Sequence, residues 1–324
     1  MTETLSGPDI EKALDQLRRM QVIRSFEEEV LRLRLDNTIV GSVHLCNGQE
    51  AIYVGATAAL DLSRDLVFPT YRGHGWALAC GAPLAEMFGE LMGRAGGVNG
   101  GRGGSAYLSV PSVGMMGENS IVGAGAPIAA GAALAARYDD SGRVTVAAFG
   151  DGAMNQGSVH EAFNFAAALK LPVIFLVENN HWSELTPISA TTASDLLFSR
   201  AAGYGMPGIR IDGNDPDQVQ AAVADAAARA RAGDGPTLIE AMTERIVGHY
   251  IGDPQVYRRK GELERAIENE PIVRLRDRLL AAGVDRGTIQ EAIDQASSDV
   301  LAASETAQLM PLSDPRTALE HLYV

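Results

Sequence analysis

Two oxygen-bearing side chains stand out by type and spacing. Asp151 follows the apolar run Val144–Phe149 within Gly150-Asp151-Gly152, and Asn180 closes Glu178-Asn179-Asn180 behind the run Val173–Val177. They lie 180 − 151 = 29 positions apart. A carboxylate and an amide oxygen are hard ligands, suited to a Mg²⁺ or Ca²⁺ ion carrying a phosphorylated cofactor. Taken singly, a Gly-Asp-Gly after a strand is often only a turn, and an Asn pair is common in loops. Both together, each behind a β-branched run, favour the metal. A dinucleotide site fits less well, because no clean G-x-G-x-x-G joins a first strand to its helix.

To meet, the two residues need a parallel sheet. Gly157 to Leu171 is rich in Ala and reads as a helix between the two strands. The resulting βαβ unit opens both loops at the carboxyl ends of its strands, where open α/β sheets bind ligands. Upstream, Ile10 to Asn37 has the apolar spacing of one amphipathic helix, and Gln49 to Leu60 reads as a second. Leu66 to Thr70 is a short strand leading into Tyr71-Arg72-Gly73-His74-Gly75. Gly93 to Gly104 is too rich in glycine for regular structure and reads as a long ordered loop, of the kind that is usually functional or disordered. Ile121 to Ala136 is predicted as a small-residue helix, fit for close packing at a subunit interface. Downstream come a strand at Gly208–Ile211, a helix at Pro216–Ala232, a strand at Thr237–Ala241, charged helices over about Lys260 to Thr306 and a short tail after Pro311. With no repeat and no linker, the reading is one α/β domain over residues 1–324, with an N-terminal helix and a helical C-terminal extension.

The composition is that of an ordinary globular protein, 46% hydrophobic and 21% charged, with ample material for a core. A net charge of −14 argues against nucleic acid and anionic membrane surfaces as partners. Cys46 and Cys80 form no disulfide framework and suggest a reducing compartment. Early acidic residues such as Asp9 and Glu11 do not read as a signal peptide, and no segment approaches the roughly 20 apolar residues of a membrane span. The expected location is the cytoplasm.

Several further segments occur in one order: His44 to Glu50, Tyr71 to Gly75, Gly101 to Ser105, Ile121 to Ala124, the Asp151/Asn180 pair, and Gly248-His249. This ordered set, over roughly Ile10 to Arg259, resembles the α subunits of thiamin-dependent 2-oxoacid dehydrogenases, the E1 components. The resemblance implies the thiamin diphosphate-binding fold, a mostly parallel sheet with helices on both faces, and thiamin diphosphate with Mg²⁺ as cofactors. It assigns the metal to Asp151, Asn180 and the backbone carbonyl of Trp182, where relatives more often carry Tyr or Phe. It assigns the diphosphate to Tyr71 and Arg72, with the backbone N–H groups of Gly152 and Ala153 and with His249 nearby. Standing alone, Arg72 would read as a surface ion pair and Val122 as a core valine opening a helix. Within the resemblance the main chain around Ser120 and Val122 meets the aminopyrimidine ring. His249 becomes an acid–base group, His44 faces the substrate channel and Arg245 is a candidate anchor for a substrate carboxylate. His74 is as readily structural as functional.

Departures from the family pattern also inform. Ser120 stands where Gly is usual, Gly125 where many members have Gln, and Ala106-Tyr107 where relatives often read Met-His. Tyr250 replaces the regulatory serine of mitochondrial members, and the run Gly248 to Pro254 is similar to bacterial acetoin-type α subunits. In this family the Glu that faces the aminopyrimidine N1′ lies in a second domain, for which this chain has no room. The resemblance therefore implies a β subunit, as in an α2β2 heterotetramer, an interfacial site, a small-molecule substrate and acyl transfer to a lipoyl-bearing acyltransferase. Pyruvate, branched 2-oxoacids and acetoin all remain open as substrates. Two alternatives stand beside it: the α subunit of another two-chain thiamin-dependent synthase transferring ketol or acyl groups, and a noncatalytic scaffold, against which the intact Asp151 and Asn180 argue.

Overall fold

A computed structural model describes residues 7–320; the domain expected over residues 1–324 extends past them at both ends. In chain order the elements are α1 (Gly7–Leu35), α2 (Glu50–Ala58), β1 (Leu66–Phe68), α3 (His74–Cys80), α4 (Leu84–Leu91), α5 (Gly125–Ala136), β2 (Thr145–Gly150), α6 (Gly157–Ala168) and β3 (Val173–Asn179). A small hairpin follows, β4 (Trp182–Ser183) and β5 (Thr186–Pro187), then α7 (Ile188–Thr191), β6 (Gly208–Asp212), α8 (Pro216–Arg231), β7 (Thr237–Met242), α9 (Glu262–Glu268), α10 (Pro271–Ala281) and α11 (Arg286–Gln308).

Five strands form one sheet in the order β1-β2-β3-β7-β6, and every pairing is parallel. Alternate residues feed two apolar layers. Val146, Ala148, Ile174, Leu176, Ile239 and Ala241 pack towards α1, α2 and α8. Ala147, Phe149, Phe175, Val177 and Leu238 pack towards α5 and α6. Burial on both faces is why the strands read as unbroken apolar runs. On the first face, Leu17, Met20, Ile23, Phe26, Val30 and Leu33 recur every three to four residues and bury one stripe of α1. Arg24 ties that helix down, pairing with Glu50 at the start of α2 (2.7 Å) and with Glu270 at the start of α10 (2.6 Å).

Most expected elements are present within a few residues. The small-residue helix is the exception: it begins at Gly125, not Ile121. Gly123 interrupts it with φ +83°, and a Cβ there would lie 2.8 Å from Val159 Cγ2. Ile121 and Val122 therefore sit in an exposed turn and not in a helix. The glycine-rich segment is held by a buried anion. Glu90, at the end of α4, accepts hydrogen bonds from the backbone N–H groups of Asn99, Gly101, Gly103 and Gly104 at 2.7, 2.8, 2.6 and 3.2 Å. The tail after Pro311 docks on the same segment, through Ala95 N to Pro311 O (2.9 Å) and Ser313 N to Gly93 O (3.1 Å). Both cysteines are free and buried. Among the described residues no helix is long and apolar enough to cross a membrane.

Candidate active site

Because the strands are parallel, the segments that leave them meet along one rim. Tyr71 and Arg72 follow β1, Asp151 to Ala153 follow β2, Asn180 and Trp182 follow β3, and Arg245 and His249 follow β7. His44 arrives from the loop before α2, and Ser120 and Val122 from the turn before α5. All of them line one cavity of about 330 Å³, within the usual size of a ligand site (roughly 300–1,000 Å³). His74 stands outside it. Fully buried at the start of α3, its Nδ1 meets Glu27 Oε2 at 3.0 Å and its Nε2 meets Ser105 Oγ at 2.8 Å.

Asp151 is 1% exposed, and neither carboxylate oxygen has a hydrogen-bond partner among the described residues. Burial pushes its carboxyl up to about 7. The Gly152 N–H and the Arg245 charge offset that burial only in part; an anion left short of partners in such a place costs folding energy, and a cation would complete it. Asn180 supplies a second oxygen. Its Oδ1 accepts the backbone N–H of Trp182 (3.2 Å), while its Nδ2 donates to Gln49 Oε1 (3.3 Å). Asn179 faces elsewhere, its Nδ2 donating to Glu240 Oε1 at 2.6 Å. Trp182 opens the hairpin, and its larger ring is held by Glu262 and Tyr257: Nε1 donates to Glu262 Oε1 (3.0 Å), and the ring centroid is 4.8 Å from that of Tyr257. Gly152 packs against this hairpin so tightly that a Cβ would fall 2.4 Å from Ser183 Oγ.

The cationic side is equally unmatched. Arg245 is 1% exposed and Arg72 is 5% exposed, and neither stands among the ion pairs of the described residues; the Asp151 carboxyl favours the charge on Arg245 without bonding to it. Arg72 is thus no surface ion pair. It clamps two loops by donating to the carbonyls of Leu45 and of His249 (2.9 Å for the latter). Arg245 donates to His249 Nδ1 (3.1 Å) and to the Glu184 carbonyl (3.0 Å), and burial beside Arg72 lowers it to about 10. A guanidinium can only donate, so Nδ1 of His249 accepts and Nε2 carries the proton. Burial, then Arg72 and Arg245, lowers His249 to about 4; burial, then Arg72 and His249, lowers His44 to about 3. The two imidazoles meet edge to face at 4.9 Å, with the Tyr71 ring 4.5 Å from His44. A loop setting suggests a surface His249, yet it is only 9% exposed.

The cavity is therefore a neutral imidazole pair between an unpaired carboxylate and two unpaired guanidiniums. A metal ion and a phosphate-bearing anion bound together would satisfy both sides at once. Four further residues matter here that the motif reading passes over. Gln49 and Glu178 stand inside quoted runs, but nothing in their spacing marks them. Ser183 and Glu184 line the cavity from a hairpin whose left-handed turns at His181 (φ 69°) and Glu184 (φ 55°) carry no glycine signal.

The chain is 39% identical over 314 residues to the α subunit of acetoin:2,6-dichlorophenolindophenol oxidoreductase from Bacillus subtilis, covering 97% of this chain and 94% of that protein. It is 41% identical to the protein of the same name from Cupriavidus necator, covering 98% and 95%. It is also 41% identical to the α subunit of the pyruvate dehydrogenase E1 component from Zymomonas mobilis, covering 94% and 86%. The sequence model of one family spans residues 18–316. On that match, and with its motifs gathered at the carboxyl rim of a parallel sheet, the chain belongs to the dehydrogenase E1 component family.

Proposed function

We propose that this chain is the α subunit of a thiamin diphosphate-dependent dehydrogenase acting on a 2-oxoacid or acetoin, and that the rim cavity takes Mg²⁺–thiamin diphosphate. The observation that carries the reading is Asp151, buried with both oxygens unpaired, across the same cavity from two guanidiniums that lack carboxylates. Asp151, Asn180 and the carbonyl of Trp182 would hold the metal. Tyr71, Arg72 and the N–H groups of Gly152 and Ala153 would hold the diphosphate, and the main chain around Ser120 and Val122 the pyrimidine ring. When bound, the cofactor supplies the electron sink for breaking a C–C bond beside a carbonyl.

This chain's own residues position and hold protons. His249, neutral with its proton on Nε2, can donate at that atom and is fixed from behind by Arg245. His44, held neutral beside it, bounds the approach to the cavity. Arg245 contributes a positive charge near neutral pH and is the partner assigned to a substrate carboxylate. A β subunit would complete the site and contribute the glutamate that pairs with the pyrimidine, and the acyl group would pass to a lipoyl arm.

The test is co-purification with the neighbouring β-type gene product and assay of pyruvate, branched 2-oxoacids and acetoin with an artificial electron acceptor. Turnover of one of these substrates that requires both chains, Mg²⁺ and thiamin diphosphate is expected. Turnover by the α chain alone, or without the cofactor, would refute the reading.

A further inference from the structure

An asparagine amide can turn either end to a site, and only its oxygen can ligate a hard cation. The surroundings of Asn180 leave it no choice. We propose that Glu178 and Gln49 are positioning residues: a buried relay that fixes the orientation of the Asn180 amide and so presets its oxygen for the metal. This rests on the metal reading above and extends it to residues that touch neither metal nor substrate in that reading.

The relay runs through groups whose hydrogen-bonding sense is fixed at both ends. At one end, both oxygens of Glu178 are met by donors; burial raises its carboxyl, and these hydrogen bonds and Arg72 act against that to keep it accepting. It takes Trp76 Nε1 at 2.7 Å on Oε1, and on Oε2 it takes Gln49 Nε2 at 2.7 Å and Tyr53 OH at 3.3 Å. The Gln49 amide must therefore turn its nitrogen to Glu178 and its oxygen to Asn180. That oxygen accepts Asn180 Nδ2 at 3.3 Å. At the other end, the backbone N–H of Trp182 can only donate, and it meets Asn180 Oδ1 at 3.2 Å. Both ends demand the same orientation of Asn180. The reverse would set two oxygens against each other at Gln49 and two donors against each other at Trp182. Any such mismatch would be buried, since Gln49, Tyr53 and Trp76 are 0% exposed, Glu178 3% and Asn180 6%.

The relay also spans the fold. Gln49 precedes α2, Tyr53 lies in α2, Trp76 in α3 and Glu178 in β3. A cluster that merely packed these elements would need its polar atoms satisfied but would have no reason to affect metal affinity. A positioning relay would, because misdirecting an amide that orients a ligand typically costs about 10–100-fold in metal affinity.

Three variants of the co-purified αβ complex separate the cases. Gln49→Met keeps the shape and the Glu178 charge but releases Asn180. Glu178→Gln keeps the shape, but its new amide nitrogen invites Gln49 to turn over and reverse Asn180. The double variant Gln49→Glu/Glu178→Gln exchanges the end groups: the carboxylate at position 49 accepts from Asn180 Nδ2 and from the new amide at 178, whose oxygen still accepts Trp76. Mn²⁺ titration in the presence of thiamin diphosphate, read by electron paramagnetic resonance, is paired with metal-free melting of each variant. The expected result is about a tenfold or greater weakening of Mn²⁺ binding in each single variant, with return to within about threefold of the parent in the double variant. Single variants that melt lower yet bind Mn²⁺ with parental affinity would show packing alone and overturn the relay. A double variant as weak as the singles would overturn it too. A parent complex that binds no Mn²⁺ with the cofactor would overturn the metal reading and the relay together; a parent that binds Mn²⁺ as Gln49→Met does would overturn the relay only.

Discussion

Asp151 is the residue whose energetics most clearly point away from folding. It is enclosed, unpaired and pushed up to about 7 by burial. Asp151→Asn should therefore stabilise the metal-free protein at neutral and higher pH, because it removes a buried charge, while abolishing any rise in melting temperature on adding Mg²⁺ with cofactor. Differential scanning calorimetry with and without Mg²⁺ reads both signs. His249 behaves in the opposite way. Removing it strips a partner from buried Arg245, so His249→Ala should cost roughly 1–3 kcal/mol of stability in addition to about 10²–10⁴ in turnover. Kinetics and melting of one preparation separate the two losses. The imidazoles also carry a pH signature. Unfolded His binds a proton near pH 6.5, whereas His249 and His44 are lowered to about 4 and about 3. The unfolded chain therefore holds more protons between those values, and stability contributed by the neutral rings is full above about pH 6.5 and lost as pH falls towards 4 and 3. Denaturant midpoints of the His44→Asn/His249→Asn variant should decline less across that window than those of the parent. The identities of these residues were legible because each sits in a short motif. Their environment was not: the enclosure of His249 and the loop-clamping use of Arg72 depend on carbonyls contributed by distant loops.

At the scale of elements, the glycine-rich segment shows what a local reading omits. Its glycine density marks it as an ordered loop, but its ordering agent, Glu90, lies outside it in α4. Gly97 has no room for a side chain, since a Cβ would fall 2.5 Å from the backbone nitrogen of Glu90. Glu90→Gln would turn an amide group towards backbone donors that now meet a carboxylate. We expect a loss of roughly 1.5–3 kcal/mol, the range for hydrogen bonds to a charged group. New cleavage within residues 93–104 should appear on limited proteolysis, and cleavage unchanged from the parent would show that the carboxylate does not order the loop. The parallel sheet and its flanking helices were legible because strands buried on both faces and amphipathic or Ala-rich helices have strong periodic signals. The short helices α3 and α4 and the β4–β5 hairpin were not. They are too brief to show a period, and they are stabilised by tertiary contacts such as Trp76 to Glu178 and Trp182 to Glu262. The start of α5 shifted for a related reason. Its alanines have high helix propensity, but the close approach of Gly123 to Val159 imposes a turn.

At the scale of the whole molecule, one face of α5 remains uncovered. Pro127, Ile128, Gly131 and Ala135 are exposed along it, and Ile121 precedes them at 71% exposure. We read this small-residue, apolar strip as the seat of a partner chain. Ile128→Lys should weaken assembly with the β subunit, measured as dissociation on size exclusion at low protein concentration, and unchanged assembly would move the interface elsewhere. The family was legible in the sequence because its motifs follow one order over most of the chain. The identity of the substrate was not, because in the proposed reading a β subunit would supply the facing wall of the site. The most direct measurement is calorimetric titration of thiamin diphosphate into the αβ complex, with and without Mg²⁺, for the parent and for Asp151→Ala. Tight binding that needs Mg²⁺ and is lost in Asp151→Ala is the expected result. Equal affinity in the presence and absence of Mg²⁺, or in parent and variant, would contradict the assignment of the cavity to a metal-held diphosphate.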